Sequence, residues 1–238
     1  MINIPKVYVV HVKKGYENRK KSIDLQMEKH DIAVEYILDG DIEDLTKEHL
    51  EKYYTGAMKA FSPEASCTIK HLLIYEKMIL NNITEALIFE DDIFLNENFV
   101  EIFNTTIVEL HQRKDIKTEK TIISYENSTL KIIPKNELKK GQYLYLNPAG
   151  RCAGAYYISL DCTKMIIEKC RTEKMDVPID WYHNQLSEAG LLDIYWCVPA
   201  IAEQGSQNGM FDSSLDLRKK NTWLRRLKWK IRKFFKGV

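Results

Sequence analysis

Three consecutive acids, Glu90, Asp91 and Asp92, follow directly on the apolar run ALIF (86–89). Side chains alternate along an extended chain, so Glu90 and Asp92 are expected on one side and Asp91 on the other. Two carboxylates on one side repel each other unless a positive group lies between them. Because Mg²⁺ and Mn²⁺ prefer carboxylate, phosphate and water oxygens, the triplet predicts a divalent cation that also holds a diphosphate.

The roles within the triplet are assigned as follows. Asp92 is predicted as the metal ligand, and Glu90 as a second ligand or a contact to a nucleotide ribose. Asp91 is the alternative to either, because a one-residue shift in register exchanges the two sides. A simpler interpretation is that Asp92 turns the chain and the acids are solvated. The chain contains no GxGxxG or GxxxxGK[ST] motif, which argues against dinucleotide and P-loop sites.

Arg19 follows the first predicted strand, where a guanidinium can pair with a phosphate or with a base edge. The competing interpretation is a solvated helix charge beside Lys20 and Lys21. His71 lies in the middle of the predicted helix 62–82 and is interpreted as a partly buried structural histidine.

Asp180 lies in the segment VPIDWYHNQ, directly after a proline bend. A carboxylate in such a place can act as the general base that takes a proton from an acceptor hydroxyl. Asp180 can equally cap the helix that follows, and the two roles are compatible. Trp181, Tyr182 and His183 are aromatic and polar groups of the kind that hold a sugar, so we expect them to bind a saccharide acceptor if the protein transfers a group to a sugar hydroxyl.

The elements that must position these residues alternate between strand and helix. A strand at 6–12, a helix at 16–30 and a strand at 33–40 predict a parallel βαβ unit. Further strands are predicted at 86–90, 121–125, 130–134, 142–146 and 149–159, and helices at 46–54, 62–82, 96–113 and 160–170. Ligands of such sheets bind at the carboxyl ends of the strands, where the acid triplet stands. The pattern predicts an α/β fold with a mostly parallel central sheet.

Length and composition favour a soluble globular protein. The 238 residues are 45% hydrophobic and 29% charged, enough for a substantial core. The five cysteines form no CxxC pair, which favours free thiols in a reducing compartment over disulfides or a zinc site. The N-terminal apolar run is too short for a signal peptide or a membrane span. One domain is predicted over residues 1–214.

Residues 215–238 are predicted to be a separate unit. Ten of the 35 Lys and Arg residues lie from Leu217 onward with no acid among them, which leaves 25 bases against all 34 acids upstream. On a helix, one face carries Trp223, Leu224, Leu227, Ile231, Phe234 and Phe235. A basic amphipathic helix predicts binding of residues 217–236 to an anionic membrane surface. A docked core helix is the alternative, and nucleic acid is disfavoured by the acidic remainder.

Five segments, in order, give the chain a family likeness. It resembles glycosyltransferase family 25, the lipopolysaccharide-biosynthesis glycosyltransferases that include bacterial β-galactosyltransferases. The similarity spans roughly residues 5–205 and is carried by ENRKKSI, PEASCTIKHLLIYEKM, ALIFEDDIFL, AGRCAGAYYISLDCTKMI and VPIDW.

The resemblance implies a GT-A-type, Rossmann-like nucleotide-diphospho-sugar transferase fold. The triplet would then fill the acidic metal-binding position and hold Mn²⁺ or Mg²⁺. Arg19, Glu90, Asp91 and Gly154 would bind the donor. Gly150 and Gly154 would let the backbone approach it closely, unless they only form a bulge. Arg151 and Lys70 depart from the family pattern, which puts sugar or acceptor preference in doubt.

The resemblance also implies a function. We expect an inverting transfer of a hexose, specifically galactose from UDP-galactose, onto a lipopolysaccharide, lipooligosaccharide or other lipid-linked saccharide. The expected location is cytoplasmic, peripheral on the inner face of the cytoplasmic membrane. The alternative is a non-catalytic membrane-associated carbohydrate- or nucleotide-binding protein. The intact acid triplet argues against that alternative, because a pure binder does not need to neutralise a diphosphate.

Overall fold

A computed structural model describes residues 4–127, 133–148 and 152–211, together with Leu224, Leu227, Lys228 and Ile231. The strands are β1 (Lys6–Val10), β2 (Val34–Ile37), β3 (Glu85–Glu90), β4 (Ile93–Leu95), β5 (Thr121–Ser124), β6 (Leu144–Leu146), β7 (Ala155–Ser159), β8 (Asp193–Cys197) and β9 (Ala202–Gln204). The α-helices are α1 (Glu17–Lys29), α2 (Lys47–Tyr53), α3 (Pro63–Leu80), α4 (Phe99–Gln112), α5 (Leu160–Glu173), α6 (Ile179–Glu188) and α7 (Gly205–Asn208).

The central sheet has the strand order β2-β1-β3-β7-β5-β8-β6 in the described part of the chain. β1 pairs in parallel with β2 and β3, and β5 pairs in parallel with β8. β7 runs antiparallel to β3 and β5, and β6 antiparallel to β8. Five of the seven strands therefore point the same way, which confirms the predicted α/β fold with a mostly parallel central sheet.

Both faces of the sheet are covered, because strand side chains alternate between two cores. Tyr8 and Ile88 belong to the core shared with α2, α3, α5 and α6. Val7 and Phe89 belong to the core shared with α1 and α4. Strands that are buried on both faces consist mostly of apolar residues. In β3, the four residues between Glu85 and Glu90 are all apolar and buried. A charged residue at the end of such a strand is therefore held in place by a rigid scaffold.

Helix α3 begins as its sequence predicts. The Ser62 hydroxyl accepts a hydrogen bond from Ala65 N at 3.1 Å, and Pro63 occupies the first turn, where its missing N–H costs nothing. The helix is unusual in burying polar residues among its apolar ones. Ser66, Thr68, Lys70 and His71 are all at most 5% exposed. Burial of so many polar groups requires partners, and the structure supplies one for each of them from neighbouring strands, loops and the start of α6.

Two elements differ from the sequence-based expectation. β4 and β9 form a separate two-stranded antiparallel sheet that the sequence did not predict. It places Gln204 opposite Ile93, and thus beside the acid triplet. A strand was predicted at 130–134, but residues 133 and 134 are not in a strand, and 130–132 lie outside the described residues.

The remaining expectations concern the cysteines and the chain ends. All five cysteines are free thiols. In the described residues, none of the helices has the length and hydropathy needed to cross a bilayer. The predicted boundary at residue 214 falls outside the described residues, so the two-unit division stays a prediction.

Candidate active site

The carboxyl ends of β1 and β3 lie side by side, and the acid triplet starts there. Val10 is in register with Glu90, and the chain turns immediately after Glu90. A pocket of about 540 Å³ opens at this edge of the sheet. Five predicted site residues line it: Arg19, Glu90, Asp91, Asp92 and Asp180. The structure thus brings together residues that are 161 positions apart at the extremes.

Each carboxylate oxygen of Asp91 has a side-chain partner. His11 Nδ1 lies 2.6 Å from one carboxylate oxygen, and Arg19 Nη1 donates to the other at 3.2 Å. The Arg19 guanidinium also lies 4.7 Å from the Tyr16 ring centroid and 5.6 Å from that of Phe211. Asp91 therefore fixes Arg19 at the pocket wall.

Asp92 is 2% exposed, and one of its oxygens has no hydrogen-bond partner. The other oxygen, Oδ2, accepts from Ser206 N at 3.0 Å, and the main-chain carbonyl accepts from Gly205 N at 2.7 Å. Burial and, to a lesser extent, the Glu90 charge together raise the pKa of Asp92 to about 6, against the opposing effect of Arg19. A buried carboxylate oxygen without a partner, next to a second acid, fits a divalent cation well.

Glu90 is held at both oxygens. Its Oε2 accepts from Gln204 Nε2 at 3.0 Å, while its Oε1 lies 3.6 Å from Cys67 Sγ and 3.7 Å from His71 Nε2. Glu90 and Asp92 influence each other electrostatically, whereas Asp91 faces His11. Glu90 and Asp92 thus share one environment and Asp91 has another, as expected, although Asp91 and Asp92 lie in the turn after β3 and not in the strand.

Asp180 is the second residue of α6 and lines the pocket. The helix is capped by Pro178, and Ile179 N donates to Thr68 Oγ1 at 3.2 Å, so Asp180 is not the N-cap. Its Oδ1 accepts from Trp181 N at 2.9 Å. Burial, opposed by the hydrogen bond from Trp181 N and assisted by the Glu90 charge, raises the pKa of Asp180 to about 6. A carboxylate with this pKa can take up a proton near neutral pH.

The three residues predicted to bind the acceptor do not line the described pocket. Trp181 is 65% exposed on the surface beside it. Tyr182 and His183 are buried, and Tyr75 OH lies 2.9 Å from His183 Nε2. Burial lowers the pKa of His183 to about 3, so it is neutral. Of the three, Trp181 is accessible to an acceptor.

Gly154 contacts the polar side chains of Glu126 and Gln204 next to Glu90. A Cβ at this position would lie 2.5 Å from Gln204 Nε2 and 2.8 Å from Glu126 Oε2. Its own N–H donates to Glu126 Oε2 at 3.0 Å, and its carbonyl accepts from Glu90 N at 2.8 Å. The close approach is thus to Glu126 and Gln204. Gly150 and Arg151 lie outside the described residues.

Lys70 and Asp41 form a buried ion pair that the sequence did not reveal. Lys70 Nζ lies 2.9 Å from Asp41 Oδ1 and donates to the carbonyls of His11 and Leu38, both at 2.8 Å. The two side chains are 1% and 5% exposed. Both residues line the pocket. The only sequence signal was the charged Lys70 inside an apolar helix pattern.

Comparison with known proteins identifies the family. The model of "Glycosyltransferase family 25 (LPS biosynthesis protein)" matches residues 4–182. The chain belongs to glycosyltransferase family 25. The matched range includes the acid triplet and Asp180, whereas Gln204, Ser206 and Gln207 of the pocket wall lie beyond it.

One curated relative of this family 25 chain is a Haemophilus influenzae protein named "Putative glycosyltransferase". The two are 23% identical over 171 residues, which cover 69% of this chain and 57% of the relative. The chain thus spans little more than half the length of that protein.

Three solved structures show weak likeness, each at 10% identity. A glycosyltransferase involved in glycosylation of the PBCV-1 major capsid has a TM-score of 0.42, covering 95% of this chain and 100% of that one. Mouse xyloside xylosyltransferase 1 scores 0.39, covering 80% and 84%. The inositol-1-phosphate CTP transferase of T. maritima scores 0.38, covering 95% and 97%. At these scores, none of the three bears on the function of the family 25 chain.

Proposed function

We propose that this protein is a cation-dependent glycosyltransferase that moves a hexose, galactose from UDP-galactose, with inversion onto a lipopolysaccharide-type or other lipid-linked saccharide. The observation that carries the proposal is the pocket itself. It gathers a fixed guanidinium, three carboxylates and a further carboxylate with a raised pKa at the carboxyl ends of parallel strands. Family 25 membership supports sugar transfer, and the galactosyl part rests on the sequence resemblance.

The donor end of the pocket is proposed at the acid triplet. Asp92 and Glu90 would hold Mn²⁺ or Mg²⁺, which fits the buried Asp92 oxygen that has no hydrogen-bond partner. When bound, such a cation neutralises charge that grows on a departing diphosphate. Arg19 adds a positive group beside it, and Asp91 holds Arg19 in that position.

The acceptor end is proposed at Asp180. In its ionised form this carboxylate accepts the proton of the attacking hydroxyl, and a pKa of about 6 leaves it mostly ionised at neutral pH. Trp181, exposed next to Asp180, offers an apolar face to a sugar ring. Inversion requires one displacement, for which a single base suffices.

Membrane binding is proposed for the basic C-terminal segment. Leu224, Leu227 and Ile231 are helical and between 41% and 47% exposed, which leaves apolar side chains available to a lipid surface. The charge of the segment favours anionic lipid, and a lipid-linked acceptor would be presented at the same surface.

The test is UDP release from a panel of UDP-sugars in the presence of Mn²⁺ and a saccharide acceptor. UDP-galactose should be used in preference to the other donors, and EDTA should stop the reaction reversibly. Asp92→Asn should lower the rate by more than about 100-fold, because the ligand loses its charge. Asp176→Asn is the matched control, since Asp176 is exposed and outside the described pocket lining.

The outcomes separate the alternatives. Donor binding without any release of UDP would replace the enzyme by a carbohydrate- or nucleotide-binding protein. Full activity in EDTA would refute the cation and leave Arg19 as the positive group at the diphosphate. Preference for another UDP-sugar would refute the galactosyl assignment alone.

A further inference from the structure

Cys67, His71 and Glu90 form a compact cluster in the wall of the pocket. Cys67 and His71 are four residues apart on α3 and therefore on the same face of the helix. Glu90 reaches the cluster from the end of β3. One ligand atom from each residue, a thiol sulfur, an imidazole nitrogen and a carboxylate oxygen, lies within 4.8 Å of the other two.

The spacing of these atoms fits a tetrahedral cation. Bonds of the usual lengths from zinc to sulfur, nitrogen and oxygen place neighbouring ligand atoms about 3.4–3.6 Å apart. The observed distances are 3.6 Å from Cys67 Sγ to Glu90 Oε1 and 3.7 Å from His71 Nε2 to the same oxygen. Two of the three ligand-atom distances are therefore close to those around a bound cation, and the third, between Cys67 and His71, is at most 4.8 Å.

The buried imidazole supplies an independent reason to expect a ligand. His71 is fully buried, and its Nε2 has no hydrogen-bond partner in the described structure. Its Nδ1 lies 2.8 Å from Tyr156 OH, and Tyr156 OH lies 2.7 Å from Tyr75 OH. Metal-binding histidines are oriented in this way by a partner on the other ring nitrogen. The ring is thus fixed with its unpartnered nitrogen toward Glu90.

The cluster is also accessible from the pocket. Cys67 and Glu90 line the pocket, while His71 lies behind them. Gln204 holds Glu90 Oε2, so Oε1 remains directed toward Cys67 and His71. A cation held by the three side chains would keep a fourth position for water or a solute, as open zinc sites do.

We propose that Cys67, His71 and Glu90 bind one thiophilic divalent cation, Zn²⁺. Thiolate and imidazole suit Zn²⁺ better than Mg²⁺ or Mn²⁺, which prefer oxygen ligands. A Zn–S bond forms, and the thiol proton of Cys67 passes to solvent. The site differs from the proposed oxygen site at Asp92, although Glu90 is common to both. The absence of a CxxC pair from the sequence disfavoured a zinc site. That criterion does not detect a Cys and a His that lie one helical turn apart.

The test uses Co²⁺, a spectroscopic substitute for Zn²⁺, with the full-length protein. A thiolate-to-cobalt charge-transfer band should appear, saturate at one cation per chain and disappear when Zn²⁺ is added. Cys67→Ser should abolish the band and weaken Zn²⁺ binding by more than about 100-fold, because a direct ligand is lost. Cys152→Ser is the matched control, since Cys152 also lines the pocket but lies outside the cluster, and it should keep the band.

A second measurement requires no variant of the cluster. In the wild-type chain, Zn²⁺ should slow alkylation of Cys67, mapped by mass spectrometry, and leave Cys152 unaffected. Asp92→Asn should keep the cobalt band even if it abolishes transfer, so that this site and the proposed donor site are tested separately. Absence of a thiolate band, or equal alkylation of Cys67 with and without Zn²⁺, would overturn the proposal and leave only a weak hydrogen bond between Cys67 and Glu90.

Discussion

At the scale of single residues, neighbouring acids of one triplet have different electrostatic surroundings. Asp91 is paired with His11 and Arg19, whereas Asp92 has a buried oxygen with no hydrogen-bond partner. A buried carboxylate oxygen without a hydrogen-bond partner is costly, so its presence beside Glu90 marks Asp92 as a candidate ligand-binding residue. We therefore expect Asp91 to position Arg19 and Asp92 to bind a ligand.

Asp180→Asn should slow transfer and stabilise the fold. The amide cannot take a proton, so kcat should fall by about 10²–10⁴ while donor binding persists. The folded-state pKa of Asp180, about 6, lies above its ordinary value of 3.8, so ionised Asp180 destabilises the protein above pH 6. Asp180→Asn should accordingly raise Tm at pH 7, and the gain should vanish below about pH 4.

The control for this variant is Asp161→Asn. Asp161 is likewise the second residue of its helix, α5, but its side chain is 61% exposed. It should change neither kcat nor Tm appreciably. A collapse of donor affinity in Asp180→Asn would instead assign Asp180 to the donor site.

The pH dependence of the transfer rate should follow the protonation of Asp180. As the pH falls through about 6, Asp180 becomes protonated and can no longer accept a proton, so kcat/KM for the acceptor should decline. The measurement is made with donor and cation saturating, so that Asp92 is occupied throughout. Asp180→Asn should lack this acid limb, and a limb that persists in Asp180→Asn would show that another group acts as the base.

The acidic residues of the site could be predicted from the sequence, whereas the side chains that pair with them could not. Glu90, Asp91, Asp92 and Asp180 stand in short runs after apolar segments or a proline, and local pattern is enough to find them. His11 carries no such signal, because it becomes a partner of Asp91 only when β1 and β3 lie side by side. Pairings across 80 residues follow from the fold and not from spacing.

At the scale of elements, α3 connects the pocket to the sheet. Its buried Lys70 joins the ends of β1 and β2 through two carbonyls and pairs with Asp41. The strands and helices of the sheet were predictable because their apolar runs are long and regular. The three-residue strands β4 and β9 were not, because their pairing depends on contacts between segments about 110 residues apart.

Lys70→Met should destabilise the protein strongly. It leaves the buried Asp41 carboxylate without its cation, and breaking a buried pair in this way costs about 3–5 kcal/mol. Urea unfolding should show this loss, and Lys70→Met combined with Asp41→Asn should recover part of it. Lys77 lies on the same helix as Lys70 but forms a partly exposed pair with Glu35 of β2, so Lys77→Met should cost less than about 1 kcal/mol. Equal losses for the two lysines would contradict the buried-pair account.

At the scale of the whole molecule, charge and apolar exposure both point to the C-terminal segment. The ten basic residues from Leu217 onward face a remainder that carries nine more acids than bases. Leu224, Leu227 and Ile231 are helical and exposed, at positions that share one face of a helix. Leu224, Leu227 and Ile231 do not line the described pocket, and we expect membrane binding and catalysis to be separable.

A protein that ends at Ser214 should therefore stay folded and retain donor hydrolysis, but lose binding to anionic vesicles. Each Lys or Arg near the surface contributes about 1 kcal/mol until salt screens it, whereas the Leu and Ile face is not screened. High salt should thus weaken full-length binding only in part. The measurement is co-sedimentation of both forms with vesicles that contain or lack anionic lipid.

A matched full-length variant separates the two contributions to membrane binding. Leu227→Ser in the intact chain preserves every charge and should weaken binding most at high salt, where only the apolar face remains effective. The truncated form should still use a soluble acceptor and should lose efficient use of a lipid-linked one. Equal sedimentation of full-length and truncated protein would exclude the segment as the membrane anchor, and unfolding of the truncated form would show that the helix belongs to the core.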